Sequence, residues 1–403
     1  MKKLILFIAF ISLVSFADAQ WQQTSLDSGM INCLAIKGDT IFAGSDNGVY
    51  LSADNGNSWS AMNTGLTNTD VLSFGISGNN IFAGTTQKIF LSSNNGTSWI
   101  PVNTGLSDTE VVGIVSRGTY IYAAFLSCYM YVSSNNGTSW TSISNGIPKG
   151  AEINSLAIKD SILLIGTIEG IYLSKNNGAN WTLSSKGMPR DSITGYTGYP
   201  SVSAITVKGD TIFAGTNSGI YLSSNNGNSW DSIGLLNNVS AFSTKGDTIV
   251  AGNSGGYEGC SMLFSSNSAS SWSAMNYDLP AFGNVYALAI NKGYLFAGGM
   301  GWTGSIGVWK IPLSEVGIKE INNNESNIKV YPNPVTDEIR VISNQCSVNS
   351  VEIYNILGEK IYSLPLTDNR SPITINCSSF AKGVYFIKAT TSEGAVVKKF
   401  IKE

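Results

Sequence analysis

The chain has 403 residues and not one histidine. Without an imidazole there is no Ser-His-Asp or Cys-His nucleophile system, and no His-ligated metal site. Charge is also scarce. Asp, Glu, Lys and Arg make up 13% of the residues, against about 25% in ordinary soluble domains. The net charge of -3 gives no basic surface for nucleic acid, so no nucleic-acid partner is expected. The five cysteines, Cys33, Cys128, Cys260, Cys346 and Cys377, show no CxxC spacing. That excludes a zinc ribbon and a dense disulfide framework. Most read as small buried residues, although Cys346 and Cys377 lie in one region and are a candidate bridge. Nothing calls for a metal or a cofactor. Beyond the first turns of the chain no apolar run is long enough to span a bilayer, so no transmembrane anchoring is expected.

What is present begins with a targeting signal. Lys2 and Lys3 precede an apolar run from Leu4 to Phe16, and Ala17-Asp18-Ala19 follows. A positive start, a short apolar core and a small-x-small site predict a signal peptide over 1–19 and export from the cytoplasm.

Repetition dominates the rest. Six octapeptides end in tryptophan: SADNGNSW at Trp59, SSNNGTSW at Trp99 and Trp140, SKNNGANW at Trp181, SSNNGNSW at Trp230 and SSNSASSW at Trp272. Their spacings are 40, 41, 41, 49 and 42. Each unit carries short β-rich runs broken by Gly, Asn and Asp, without helical periodicity. In the first, Cys33–Ile36, Thr40–Gly44 and Gly48–Ser52 read as strands, and Trp59 opens a fourth. A period near 40 with four strands per unit predicts an all-β, seven-bladed β-propeller over 20–317. The seventh unit supplies only three strands, Val285–Ile290, Leu295–Gly298 and Ile306–Lys310. Trp21-Gln22-Gln23-Thr24-Ser25-Leu26 matches the run from Trp59 to Thr64, so the N-terminal strand is expected to close the ring.

The octapeptides resemble the Asp-box of sialidases, xyloglucanase-type glycosidases and sortilin-like receptors. Only Asp54 is an Asp; Asn94, Asn135, Asn176, Asn225 and Asn267 replace it, and Ala269 replaces the Gly. Asn still caps a turn, so the boxes read as architecture rather than chemistry.

Composition changes after Val316. EINNNES over Glu320–Ser326 marks a polar linker, placed at 318–326. Residues 327–403 carry runs at Ile328–Tyr331, Ile339–Ile342, Val351–Tyr354, Ile373–Ile375 and Val384–Ala389, which predict a small immunoglobulin-like β-sandwich. Four segments, KVYPNPVTDEIRV, VEIYNILGEKIY, FAKGVYFIKA and VVKKFIKE, resemble the type A C-terminal sorting domain of the type IX secretion system of Bacteroidota. The resemblance implies a partner in the secretion machinery through 327–403. It also implies passage through the periplasm, removal of this domain, and a final place outside the cell or on its surface.

In a propeller the loops before the first strand and between strands two and three share one face, and the boxes lie on the other. Just before the innermost strands stand Asp70, Glu110 and Glu152 in blades two to four; the counterparts are Met30, Ser201, Asn238 and Asn284. Three carboxylates are expected to form an arc at the tunnel mouth. A pair of them suits glycosidase acid–base chemistry, and the arc also suits a cation; solvated strand starts are the plainer reading. Blades four to seven carry longer loops. MPRDSITGYTGYP holds Arg190, Tyr196 and Tyr199; NSGGYEGCS holds Tyr257; GMGWTGSIG holds Trp302. Aromatic rings on Gly-rich loops suit stacking on a sugar or a peptide side chain, or else anchor their own loops. Six Asp-Ser/Thr-Ile triplets, at Asp39, Asp160, Asp191, Asp210, Asp231 and Asp247, resemble a Bacteroidota O-glycosylation pattern and equally suit turns.

Two functions compete. One is a secreted, non-catalytic binding or adhesion module for a glycan or protein, with Asp70, Glu110, Glu152, Tyr257 and Trp302 at its ligand face. The other is a glycoside hydrolase using carboxylates at the tunnel mouth. A sialidase needs three arginines, and the propeller region has only Arg117 and Arg190. Xyloglucanase-type enzymes join two propellers, and this chain has one. Binding is the favoured expectation.

Overall fold

The computed structural model describes residues 21–403 apart from 28, 108–109, 191–197, 234–237, 256–261, 268, 270, 276–281, 302–303, 315–327, 344–347, 356–359, 366–371 and 392–393. Every regular element among the described residues is a strand. The chain divides into two compact units, Met1–Lys319 and Glu320–Glu403. The signal-peptide and linker expectations fall outside the described residues.

Among the described residues the first unit holds seven four-stranded antiparallel sheets. In the first sheet the strands are Ile31–Lys37, Thr40–Ser45, Gly48–Ser52 and Ser60–Ala61. The inner strands of the next five sheets start at Val71, Val111, Ile153, Val202 and Val239. The seventh sheet takes Phe282–Asn291, Tyr294–Gly301 and Gly304–Pro312, with Gln22–Gln23 as its outer strand. Consecutive inner strands neighbour one another, and that of the seventh sheet meets that of the first, so the sheets form a ring. Asn284, expected just ahead of its strand, lies inside it. An irregular pairing at its start lengthens that strand backwards.

Each of the first five octapeptides is a hydrogen-bonded turn that latches onto the preceding sheet. Ser52 Oγ accepts from the Gly56 N–H at 2.8 Å, and Asp54 Oδ1 accepts from the Ser58 N–H at 2.9 Å. The Asn boxes make the same bonds; Asn94 Oδ1, for example, accepts from the Ser98 N–H at 3.0 Å. The turn needs two left-handed residues, Asn55 and Gly56, at φ 58° and 76°, which is why Asn and Gly recur there. The Trp99, Trp140, Trp181 and Trp230 indoles are buried. Each N–H donates to a carbonyl of the preceding sheet's outer segment, those of Met62, Val102, Ile143 and Ser184, at 2.6–2.8 Å. For the first sheet the preceding outer segment is the N-terminal one. Trp59 Nε1 there donates to Thr24 Oγ1 at 3.1 Å.

The seam between last and first sheets differs in one more respect. Strand three of the other sheets has Leu51, Leu91, Val132, Leu173, Leu222 or Phe264 where the seventh has Lys310. The Lys310 ammonium donates to Asn55 O at 3.0 Å and Asn57 Oδ1 at 2.7 Å, and lies over the Tyr294 ring. Burial lowers its pKa, and the Asp54 charge opposes that. The only Asp box thus faces the only lysine at this position.

The second unit contains a three-stranded sheet (Ile328–Tyr331, Glu338–Ser343, Ile373–Asn376) and a four-stranded one (Lys360–Pro365, Val348–Asn355, Gly383–Thr391, Gly394–Lys402). Val335, Ile339, Val351, Ile375, Ile387 and Phe400 are among its core residues. Cys377 is a free, buried thiol, so the Cys346–Cys377 bridge is not formed. The residue serves instead as a small member of this core.

Candidate functional site

The inner strands share a local fault that builds the site. In the first sheet Ile31 faces Ser45 and Cys33 faces Gly44, leaving Asn32 as an extra, bulged residue. The same skip occurs at Leu72, Val112, Asn154, Ser203, Ser240 and Tyr286. A bulge re-aims the side chain of its extra residue. All seven line one central cavity of about 760 Å³. Five of them, Asn32, Asn154, Ser203, Ser240 and Tyr286, are polar. Two positions further along the strands, Leu34, Phe74, Ile114, Leu156, Ile205, Phe242 and Leu288 make an apolar throat. The polar ring also joins sheets. Asn32 Nδ2 donates to Val71 O at 3.0 Å, and Ser240 Oγ donates to Val285 O at 2.5 Å.

Asp70 stands beside this ring and accepts from Asn32 Nδ2 at 3.3 Å. Burial pushes its carboxyl above the ordinary carboxylate value; the Asp46 charge adds to the rise and the Asn32 hydrogen bond opposes it. Asp46, on the loop between strands two and three, accepts from the Met30 N–H at 3.1 Å. Glu152 is exposed. It lies with Glu169 near Cys128, whose thiol pKa is raised, chiefly by burial and also by these two charges. Glu110 is half-buried at φ 49°, and its backbone bridges Thr86 O and the Leu126 N–H at 3.1 Å each. Among the described residues no three acids or cysteines are placed to hold a metal ion. Asp70 is set with Asp46, and Glu152 lies with Glu169. Tyr257 and Trp302 lie outside the described residues, as do Tyr196 and Asp191.

The described ends of the longer loop of the fourth unit are anchored. Tyr199 packs against buried residues of sheets four and five and carries the Arg190 guanidinium 5.0 Å from its ring centre. Arg117 sits on the box side, donating to Asp160 O at 3.1 Å and Asn177 Oδ1 at 2.6 Å. The aspartates of the strand-one turns there are tied between sheets. Lys292 pairs with Asp39 at 3.0 Å, Lys159 with Asp210 at 3.7 Å, and Lys208 with Asp247 at 3.7 Å.

The polar ring and Asp46 escaped sequence reading because they depend on bulges and loop packing. The signal that finds the ring is the second residue of each aligned inner strand.

Residues 329–403 match the family described as the secretion system C-terminal sorting domain. That match implies export by the type IX route to the cell surface or extracellular space, and contact with the secretion machinery. No curated protein matches the chain at a significant level. Solved structures similar to it are β-propellers. YCF48 bound to D1 peptide is 14% identical at a TM-score of 0.55, covering 74% of this chain and 98% of that one. YCF48 from Cyanidioschyzon merolae is 15% identical at 0.52, covering 73% and 98%. The extracellular domain of the putative hybrid two component system BT4673 from B. thetaiotaomicron is 14% identical at 0.60, covering 93% of this chain. This chain spans about half, 51%, of that structure's length. At these identities the likeness concerns the fold alone, which is a propeller. No helix among the described residues is long and apolar enough to cross a membrane.

Proposed function

We propose that the mature protein is a non-catalytic binding module, exported by the type IX system, that captures an extracellular glycan or protein at the loop face of its propeller. In this reading residues 1–19 are a signal peptide. Residues 20–317 form seven blades of the Asp-box kind, closed by the N-terminal strand, and 318–326 are a linker. Residues 327–403 form an immunoglobulin-like sorting domain. The site centres on Asp70, Glu110, Glu152, Tyr257 and Trp302 around the polar ring.

The observation that carries the reading is the ring of bulged side chains at the mouth of the 760 Å³ cavity. Its amides and hydroxyls both donate and accept, as sugar hydroxyls and peptide groups do, and an apolar throat lies beneath. Such a rigid, wide mouth suits recognition. The deciding experiment is a glycan array with a peptide array beside it, peptides being included because the YCF48 structure holds one. Binding that weakens in Asn32→Ala and Tyr286→Ala supports the proposal; binding untouched by both refutes this location.

The glycosidase alternative draws on one observation, the raised Asp70 carboxyl beside the Asp46 charge. A pair of neighbouring carboxylates is what glycosidase acid–base chemistry requires. Hydrolysis of an array glycan that vanishes in Asp70→Asn establishes it.

A further inference from the structure

A second groove, of about 510 Å³, opens on the opposite, box-bearing side between the fourth and fifth sheets. The other repeats show why it exists. Three residues after the box tryptophan stand Met62, Val102, Ile143, Ile233 and Met275, but Ser184 in the fourth unit. The large side chains Met62, Val102 and Ile143 lie over the Gly of the following box. Over Gly227 stand Leu173 and Leu164 instead, and the smaller Ser184, at the groove wall, donates its hydroxyl to Gly227 O.

The same unit departs from the repeat at three more groove positions, all enriching it in donors. Lys175 replaces Ala or Ser, Asn180 replaces Ser, and Lys186 stands where the other units have Thr64, Thr104, Asn145, Leu235 and Tyr277. The Asn180 change frees a donor. In four other boxes the Asn amide donates to the box serine hydroxyl, at 2.7–2.9 Å. With that serine gone, Asn176 Nδ2 has no acceptor among the described residues. Asn180 Oδ1 already accepts from Asn145 Nδ2 at 2.6 Å, which leaves its own amide N–H groups to face a ligand. Lys175 spends one donor on Asn228 Oδ1 at 2.9 Å. Lys186 has no carboxylate partner among the described residues. Beside these donors Leu183 is 45% exposed and supplies an apolar surface.

We infer that this groove is an anion site for a sugar bearing a carboxylate or sulfate group. Two ammonium groups and two free amides match an oxyanion, and Leu183 matches the C–H face of a sugar ring. Four departures from the repeat line one groove, three adding donors and one a smaller side chain, which a ligand site requires and packing alone does not. The site lies on the face opposite the cavity mouth and does not depend on the function proposed there.

The test is calorimetric titration of the mature protein with a galacturonate trisaccharide, a sulfated galactose disaccharide and neutral galactotriose. The acidic sugars should bind and the neutral one should not, and the stronger acidic ligand names the source of the anion. Lys175→Gln with Lys186→Gln should weaken binding at least tenfold. Ser184→Ile should abolish it, because isoleucine occupies the matching place in the third unit and fills the groove. If that variant does not fold, the double lysine variant decides alone. Equal binding of the neutral sugar, no binding of either acid, or affinity unchanged in the lysine variant overturns the inference. So does binding of polyglutamate or free sulfate as tight as that of the acidic sugars.

Discussion

Replacing Trp21 and Leu26 by alanine tests ring closure where it is made. Trp21 is 6% exposed and packs in a cluster with Val285, Leu295 and Ile311 of the seventh sheet. Leu26 is 6% exposed among Ile31, Phe296 and Val308, at the seam of seventh and first sheets. Between them Thr24 N donates to Val308 O at 2.9 Å, and Val308 N donates to Leu26 O at 2.8 Å. A buried Trp→Ala change costs about 3–5 kcal/mol and Leu→Ala about 2–5 kcal/mol. Together they remove roughly 5 kcal/mol or more, a large part of the ~5–15 kcal/mol that holds a domain folded. At about 2–4 °C per kcal/mol, the melting temperature should fall by ~10 °C or more. Calorimetry and urea titration of the purified mature protein measure this. Ile100→Ala is the control; Ile100 sits on an outer strand at 59% exposure, and its loss should cost about 0.5 kcal/mol or less. A double variant that melts within about 2 °C of wild type would refute the closure argument.

Further outcomes are expected. Lys310→Ala leaves Asn55 O and Asn57 Oδ1 without their donor and should lower unfolding free energy by about 1–3 kcal/mol, read from urea midpoints. Hydrogen bonds from Ser58, chiefly, hold the Asp54 carboxyl down at about 2 from its ordinary 3.8. Its folded pKa is depressed, so its contribution is full above about pH 4 and disappears as pH falls toward about 2. Asp54→Asn should flatten the melting curve in that window alone; an unchanged acid profile contradicts this. Gly105 sits at φ 90°, where an added Cβ would strike the Trp140 carbonyl. Gly105→Ala should therefore lower the melting temperature, by an amount worth at least 1–2 kcal/mol. Mass spectrometry of the culture medium and cell surface should find peptides of the propeller but not of 384–402; full recovery of those peptides contradicts removal of the sorting domain.

Much of the architecture was legible in the chain because it rests on local chemistry. The octapeptide needs Asn or Asp, then Asn-Gly in left-handed geometry, then Trp. Those demands leave a visible period wherever the turn recurs. The pairing of Gln22 and Gln23 with Lys310 and Trp309 was likewise anticipated by the likeness of Trp21–Leu26 to Trp59–Thr64. In the C-terminal unit the sequence pattern does not single out the strands Lys360–Pro365 and Gly394–Lys402. Lys398, Lys399 and the exposed Ile361 and Ile401 blur their alternation, and pairing partners stabilise them instead.

The sites depended on what no local pattern encodes. Asp70, Glu110 and Glu152 share a repeat position, and that position alone suggested an arc. Their environments were set by other residues: Asp46 and Asn32 for Asp70, Glu169 and Cys128 for Glu152. The polar ring at the cavity mouth exists because each inner strand carries one residue too many for its partner, and only the ladder reveals the mismatch. The box-side groove follows from Ser184, an unremarkable serine in the sequence. Its consequence appears only when the next sheet is packed against it and the expected side chain is missing. By itself the sequence determined the turns, the period and the likeness of residues 329–403 to a sorting domain, because each is read from residues near one another in the chain. Tertiary structure decided which side chains converge, because convergence joins residues some 40 positions apart, and the geometry between sheets sets it.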